Sequence, residues 1–435
     1  MTANDPLATR ARDLARAGDE EGAAALIRTL VAEVTGQDVV ELVLTLDQYS
    51  LNSVNGRAAL ADGSRYFYKF HSEEGEDGTI AEYYNAELLR EHGYLVDLPV
   101  FANGEPGRQI LLYALREEPR LADVARANDL GETGAERDAV ILAAQADRDE
   151  RAARILVDSL HPVTVEQSAA EPIHQLFHHR LTSPGAAPGR GGRIAAYYGG
   201  RDLALGEGEE AVELSWERLL GLRWRIDGVD YDRTLAELLD EAAEMLDPAA
   251  LAPFGGVVAH GDDHNANIWF TTEGDTHPLV AFDPAFAGRH VPALLAEVKA
   301  TFHNSLAHPL WLYEPALAEE RFGASVRLED GVLVVERDWS LTPLRAALLV
   351  SRAERTWRPL VAALEERSLL PAHWKRIVRL ALMLCPLLVR DVRAGGAGGH
   401  TPLTSALAFA MIVQCGAEPV SGTDPVADFL ARIES

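Results

Sequence analysis

Residues 257–288 read VVAHGDDHNANIWFTTEGDTHPLVAFDPAFAG, and the other assignments along the chain hang from them. An apolar run breaks into a polar turn carrying Asp262, Asp263, His264 and Asn267. A second short strand, a turn through Gly274 and a third strand then lead to Asp283. The apolar stretches 257–259, 267–270 and 279–282 have the length and composition of a buried hairpin, which would bring Asp283 back beside the turn.

These residue types suit metal-assisted phosphoryl transfer. A hydroxyl attacking a phosphoryl group needs a carboxylate to orient it and accept its proton, and Asp262 can serve. The transferring phosphate needs Mg²⁺, a hard cation that keeps several waters and is satisfied by one or two protein oxygens. Asn267 and Asp283 can supply those oxygens.

The set His260, Gly261, Asp262, His264 and Asn267, followed by a strand ending in Asp283, resembles the catalytic and metal-binding segments of aminoglycoside phosphotransferases and choline kinases. That resemblance implies an α+β, bilobal protein-kinase-like fold, with a β-rich N-lobe and a large helical C-lobe carrying an insertion. It also implies transfer of the γ-phosphoryl group of ATP to a hydroxyl of a small molecule, with His260 bracing the catalytic turn. Two flanking positions depart from the family pattern: Asp263 replaces the usual leucine or similar residue, and Ala266 the usual glycine. Two other readings compete. Alternating His260, Asp262 and His264 could belong to a metallohydrolase, and the same fold could be a catalytically inactive nucleotide-binding regulator.

The chain has 435 residues, of which 47% are hydrophobic, enough for a bilobal enzyme with an ample core. Lys and Arg total 40 against 67 Asp and Glu, a formal charge of −27, which disfavours nucleic acid and anionic membranes as partners. The same balance leans toward cationic acceptors; a sugar, amino sugar, aminoglycoside-like compound or amino alcohol fits the chemistry. Cys385 and Cys415 sit in apolar helical contexts and read as buried thiols. The N-terminus lacks a signal-peptide core and no apolar run reaches membrane-spanning length, which points to the cytoplasm. Oligomeric state leaves no mark in the sequence.

Residues 6–34 have helical apolar spacing, and this N-terminal extension (1–35) is expected to pack on the sheet that follows. From Val39 the pattern turns to strands, with Asp62-Gly63 as a hairpin turn and Lys69 in an aromatic strand. Strand, polar loop, strand, hairpin and lysine strand match the order in which a kinase ATP lobe begins, here 36–115. By that resemblance Lys69 holds the ATP phosphates and a glutamate in the helix over 79–92 pairs with it, Glu82 by its place on the helix, with Glu87 the alternative. Ser50, Asn52 and Ser53 then form the phosphate loop, and Tyr113 to Leu115 lie at the adenine hinge. The C-lobe, 116–435, contains a long amphipathic helix in 136–160 and the stretch SPGAAPGRGG (183–192), a surface excursion or a lid. The neighbouring His174, His178, His179, Arg180, Tyr197 and Tyr198 could reach substrate or serve packing. Glu297, Lys299, His303 and Trp311 are acceptor-side candidates through the resemblance.

Overall fold

The helical spacing at the N-terminus produces two helices. Helix α1 (Leu7–Arg16) stops at Gly18, whose φ of +80° a helix cannot contain, and α2 (Glu20–Thr35) restarts at Asp19, whose carboxylate accepts the Gly22 N–H at 2.9 Å. In this computed structural model the described residues are 7–45, 53–71, 78–105, 107–207 and 211–435. They fall into two units. The first comprises Met1–Glu91, Leu95–Pro119 and Val280–Ala285, and the second the remainder.

The first unit is built on an antiparallel five-stranded sheet ordered β1-β2-β3-β5-β4. Its strands are β1 (Val39–Thr45), β2 (Ser53–Leu60), β3 (Arg65–His71), β4 (Phe101–Asn103) and β5 (Ile110–Ala114). As expected, α1 and α2 cover the sheet: Leu7, Ala11, Ile27, Leu30 and Val31 share a core with Ala58, Leu60, Tyr68, Ile110 and Leu112. Burying each large aliphatic chain is worth about 1.5–3 kcal/mol. The Asp62-Gly63 turn forms, with Gly63 at φ +87° and Asp62 accepting the Ser64 N–H. Gly56 has a packing reason. A Cβ there would lie 2.0 Å from the Val43 carbonyl oxygen and 2.4 Å from the Tyr68 hydroxyl, which crosses the strand to reach that carbonyl. Helix α3 (Gly78–Glu91) follows β3. The late segment around Ala281 joins this unit through backbone bonds of 2.8 Å to Leu95 and Asp97.

The second unit is mostly helical, and its core is continuous. Helix α4 (Leu121–Asp129) precedes α5 (Ala135–Ser159), whose buried face is Ile141, Ala144, Gln145, Arg148, Asp149, Ala152, Ile155 and Leu156. The spacing is that of one helical stripe, with a polar trio set in it. Helix α6 (Leu235–Met245) leads into β6 (Gly256–Ala259), all four of whose residues are buried. Here the hairpin expectation needs correction in its first run, 257–259. β6 does not pair with the run that follows it; its antiparallel partner is β7 (Gly288–Pro292). The polar turn after Ala259 commits its backbone groups to side chains and to itself, so the strand buried throughout takes its ladder partner from farther along. The next run closes its own turn, with the Thr271 N–H bonded to the Pro278 carbonyl.

Helices α7 (Pro343–Arg352), α8 (Trp374–Val389) and α9 (Pro402–Gly416) complete the core. Cys385 and Cys415 are buried free thiols, as expected. The 183–192 stretch is docked on α6. Arg190 bonds the Ala236 carbonyl and pairs with Asp240, and a Cβ on Gly189 would strike the Leu239 carbonyl at 2.3 Å. Its neighbours serve the structure: His174 bonds the Ser168 carbonyl, and Tyr198 stacks on Trp216. Among the described residues no helix is long and apolar enough to cross a membrane.

Candidate active site

In the first unit, Lys69 projects from β3 between Asn55 and Leu111 of the flanking strands and is 7% exposed. A nearly buried ammonium requires a charged partner, and Lys69 bonds the Asp283 carboxylate. Asp283 follows its strand with φ +59°, a left-handed conformation that is uncommon for a residue with a side chain. Glu82, the expected partner of Lys69, lies in α3, but its side chain is outside the described residues. Ser50 and Asn52 are outside them as well, and Ser53 opens β2 opposite His71. Tyr113 pairs with Phe67 in the sheet, and the Leu115 N–H goes to the Arg65 carbonyl at 3.3 Å. That bond leaves the Leu115 N–H committed within the sheet.

In the second unit β6 delivers the chain into the turn. His260 is 1% exposed, and its Nδ1 lies 3.4 Å from the Asp262 N–H. Gly261, at φ +78°, would place a Cβ 2.8 Å from the Phe286 carbonyl oxygen, so only glycine turns the chain here. Asn267 donates its side-chain N–H to the Asp262 carbonyl at 2.9 Å. That bond sets the amide orientation and leaves Oδ1 as the side-chain atom able to bind a cation. His264 caps the short 3₁₀ turn Asn265–Asn267, its Nδ1 accepting the Ala266 N–H. Both histidines therefore commit Nδ1 to backbone, which does not suit the metallohydrolase reading. Among the described residues no group of three His, Cys, Asp or Glu could hold a metal ion.

Asp263 is the departure from the family pattern, and the fold has built a partner for it. It is 3% exposed, and Arg148 of α5 bonds both its carboxylate and its backbone carbonyl, the latter at 2.8 Å. Burial alone would raise this carboxyl, but Arg148, His260 and Arg352 outweigh it and hold the group below its ordinary range. Beside it, Arg352 of α7 bridges Glu297 at 2.5 Å and Asp149 at 3.3 Å, while Gln145 and Ser351 each bond Asp149 at 2.7 Å. Three carboxylates, Asp149, Asp263 and Glu297, thus share two guanidiniums. Glu297 takes up the imbalance: burial, then the charge of Asp263, push its carboxyl up to about 8.

The acceptor-side expectations change accordingly. Glu297, Lys299, His303 and Trp311 are all at most 4% exposed. Trp311 bonds the Leu306 carbonyl inside the core, and Glu297 belongs to the arginine cluster. Lys299 and His303 stand behind Asp262, with Lys299 Nζ 3.8 Å from Asp262 Oδ1.

No protein-family model and no curated protein sequence matches the chain. Among solved structures, it is similar to a protein described as a fructosamine-3-kinase from Thermobifida fusca, at 16% identity and a TM-score of 0.36, covering 90% of this chain and 96% of that one. A macrolide 2'-phosphotransferase type I gives 12% identity and a TM-score of 0.38, over 83% and 91% of the two chains. Aminoglycoside phosphotransferase APH(3'')-Id from Streptomyces rimosus gives 16% and 0.35, over 68% and 89%. At TM-scores this low the likeness decides nothing for this chain, whose site rests on its own residues.

Proposed function

We propose that this protein is an ATP-dependent phosphotransferase that moves the γ-phosphoryl group to a hydroxyl of a small molecule. The observation that carries the reading is the 260–267 turn. Among the described residues nothing hydrogen-bonds Asp262 Oδ1, and beside it the turn sets the Asn267 amide so that its Oδ1 is left for a cation. The Lys69–Asp283 pair of the first unit supports the same reading, because it places a buried ammonium against a carboxylate.

In this reading Asp262 accepts the acceptor's hydroxyl proton as the new O–P bond forms. Lys69 orients the ATP phosphates, His260 holds the catalytic turn, and the hinge contributes backbone groups near Tyr113 and Leu115. Asn267 and Asp283 fit Mg²⁺ by donor type, since both offer hard oxygens and neither offers sulfur or imidazole. When bound, the cation neutralises charge on the phosphates. Cationic acceptors such as amino sugars and aminoglycoside-like compounds remain attractive from overall charge.

The test is transfer of label from γ-labelled ATP into a panel of sugars, aminoglycosides, nucleosides and amino alcohols. Labelled product from the unmodified protein, absent with Asp262→Asn, is the expected outcome. ATP binding with no transfer to the panel or to a whole-metabolite extract would favour a nucleotide-binding regulator instead.

A further inference from the structure

Asp262 Oδ1 is buried and accepts no hydrogen bond from the described residues, although its side chain as a whole keeps 15% exposure. Two nitrogens face that oxygen at 3.8 Å, His264 Nε2 and Lys299 Nζ. The His264 ring is neutral, because Nδ1 offers a lone pair to a backbone N–H and so carries no proton. Its Nδ1 accepts from Ala266, which puts the ring proton on Nε2. The full positive charge beside Oδ1 is therefore the ammonium of Lys299.

A second line of contacts holds that ammonium in place. Lys299 Nζ is 2.9 Å from His303 Nε2, four residues on. An ammonium can only donate, so Nε2 must accept, and the ring proton sits on Nδ1, which bonds the Tyr313 hydroxyl oxygen. Burial, then the positive charge of Lys299, keep His303 well below its ordinary range and hence neutral. The direction of both hydrogen bonds follows. His303 lies in a π-helical turn, Phe302–Leu306, a local irregularity of the kind that often re-aims functional side chains.

We infer that Lys299 is a positioning residue for Asp262, with His303 and Tyr313 locking its ammonium; this rests on the phosphotransfer reading. Lys299 is 4% exposed, so it acts through Asp262 and does not touch the acceptor. Its charge fixes the inner oxygen, Oδ1, and so presents the outer oxygen to the attacking hydroxyl. In the transfer, the hydroxyl proton passes to Asp262 and the acceptor oxygen bonds the γ-phosphorus. The bond to the bridging oxygen breaks, and its electron pair leaves with ADP. Lys299 gives up no proton.

The experiment uses the full chain and the acceptor identified by the labelling panel. Lys299→Met should lower kcat roughly a hundredfold, the range seen when one preorganised electrostatic partner is removed. KM for ATP should stay unchanged, and Lys299→Arg should recover a large part of kcat. A kcat within about threefold of the parent, or a loss shared equally with ATP affinity, would overturn the role. A measurement on the unmodified protein guards against a variant that fails to fold: ¹⁵N shifts of labelled histidine should show His303 protonated on Nδ1 and bare on Nε2. The opposite tautomer would overturn the lock whether or not any acceptor is found. The two ideas separate cleanly. Absence of transfer by the unmodified protein counts against the phosphotransfer reading, whereas transfer that survives Lys299→Met counts against Lys299 alone.

Discussion

Asp262 and Asp263 are adjacent in the chain and have opposite surroundings. Asp263 is closed off by a guanidinium that bonds both its carboxylate and its carbonyl. Among the described residues, Asp262 has a buried oxygen with no hydrogen bond, and the Lys299 ammonium lies 3.8 Å from it. A satisfied carboxylate has no reason to react, whereas one whose lone pairs are incompletely used can take a proton. The turn therefore divides its two aspartates between anchoring and chemistry. The anchor is expensive by itself, since burying Arg148 and Asp263 together costs several kcal/mol of desolvation per ion before their attraction is counted.

The sharpest way to break this contrast is to remove each carboxylate's function in turn. Asp262→Asn should reduce phosphoryl transfer by roughly 10³-fold, within the usual range for a general base. ATP binding and the thermal midpoint should stay close to those of the parent. Comparable loss of ATP binding would mean that Asp262 is structural like its neighbour.

On the anchoring side, Arg148→Met should cost about 3–5 kcal/mol of stability, because Asp263 is left buried and uncompensated. Adding Asp263→Leu, which restores the residue type usual in the resembled family, should return most of that loss in denaturant titrations. A double variant as unstable as the single one would show that the pair holds nothing by itself.

Glu297 sharpens the contrast through pH. Its carboxyl titrates near 4.5 when unfolded and is pushed up to about 8 in the fold, so the folded protein binds more protons in that window. Its contribution to stability is fully present below 4.5 and is lost as pH rises toward 8. Glu297→Gln should flatten the stability profile between those limits, read from melts across pH, and should leave stability near pH 5 almost unchanged. The smallest effect belongs to Ser351→Ala, which removes one hydroxyl from Asp149 at the cluster's edge and should cost about 1 kcal/mol.

Much of this was legible beforehand. The N-terminal helices covering the sheet, the Asp62-Gly63 hairpin and the long helix α5 follow from periodicity and turn chemistry, the α+β division follows from the resemblance, and all are present. His260, Asp262 and Asn267 gather within one turn because their spacing is local. What was not read was the company kept by Asp263, since Arg148 is 115 residues away. A signal existed: Gln145, Arg148 and Asp149 lie on the apolar face of α5, and Arg345 and Arg352 on that of α7, alongside Leu344, Leu348 and Leu349. Charges on a core-facing stripe demand partners. The resemblance puts Lys299 and His303 on the acceptor side, and helical spacing in a sequence does not show which face the fold covers.

The sequence by itself determined where the reactive turn lies and which residue types stand in it, because a tight turn is written in contiguous residues and their backbone preferences. Only the tertiary structure decided which of two neighbouring aspartates is anchored and which is left open. That choice depends on guanidinium and ammonium groups arriving from α5 and from the helical turns after Glu297, and on how much water their meeting excludes.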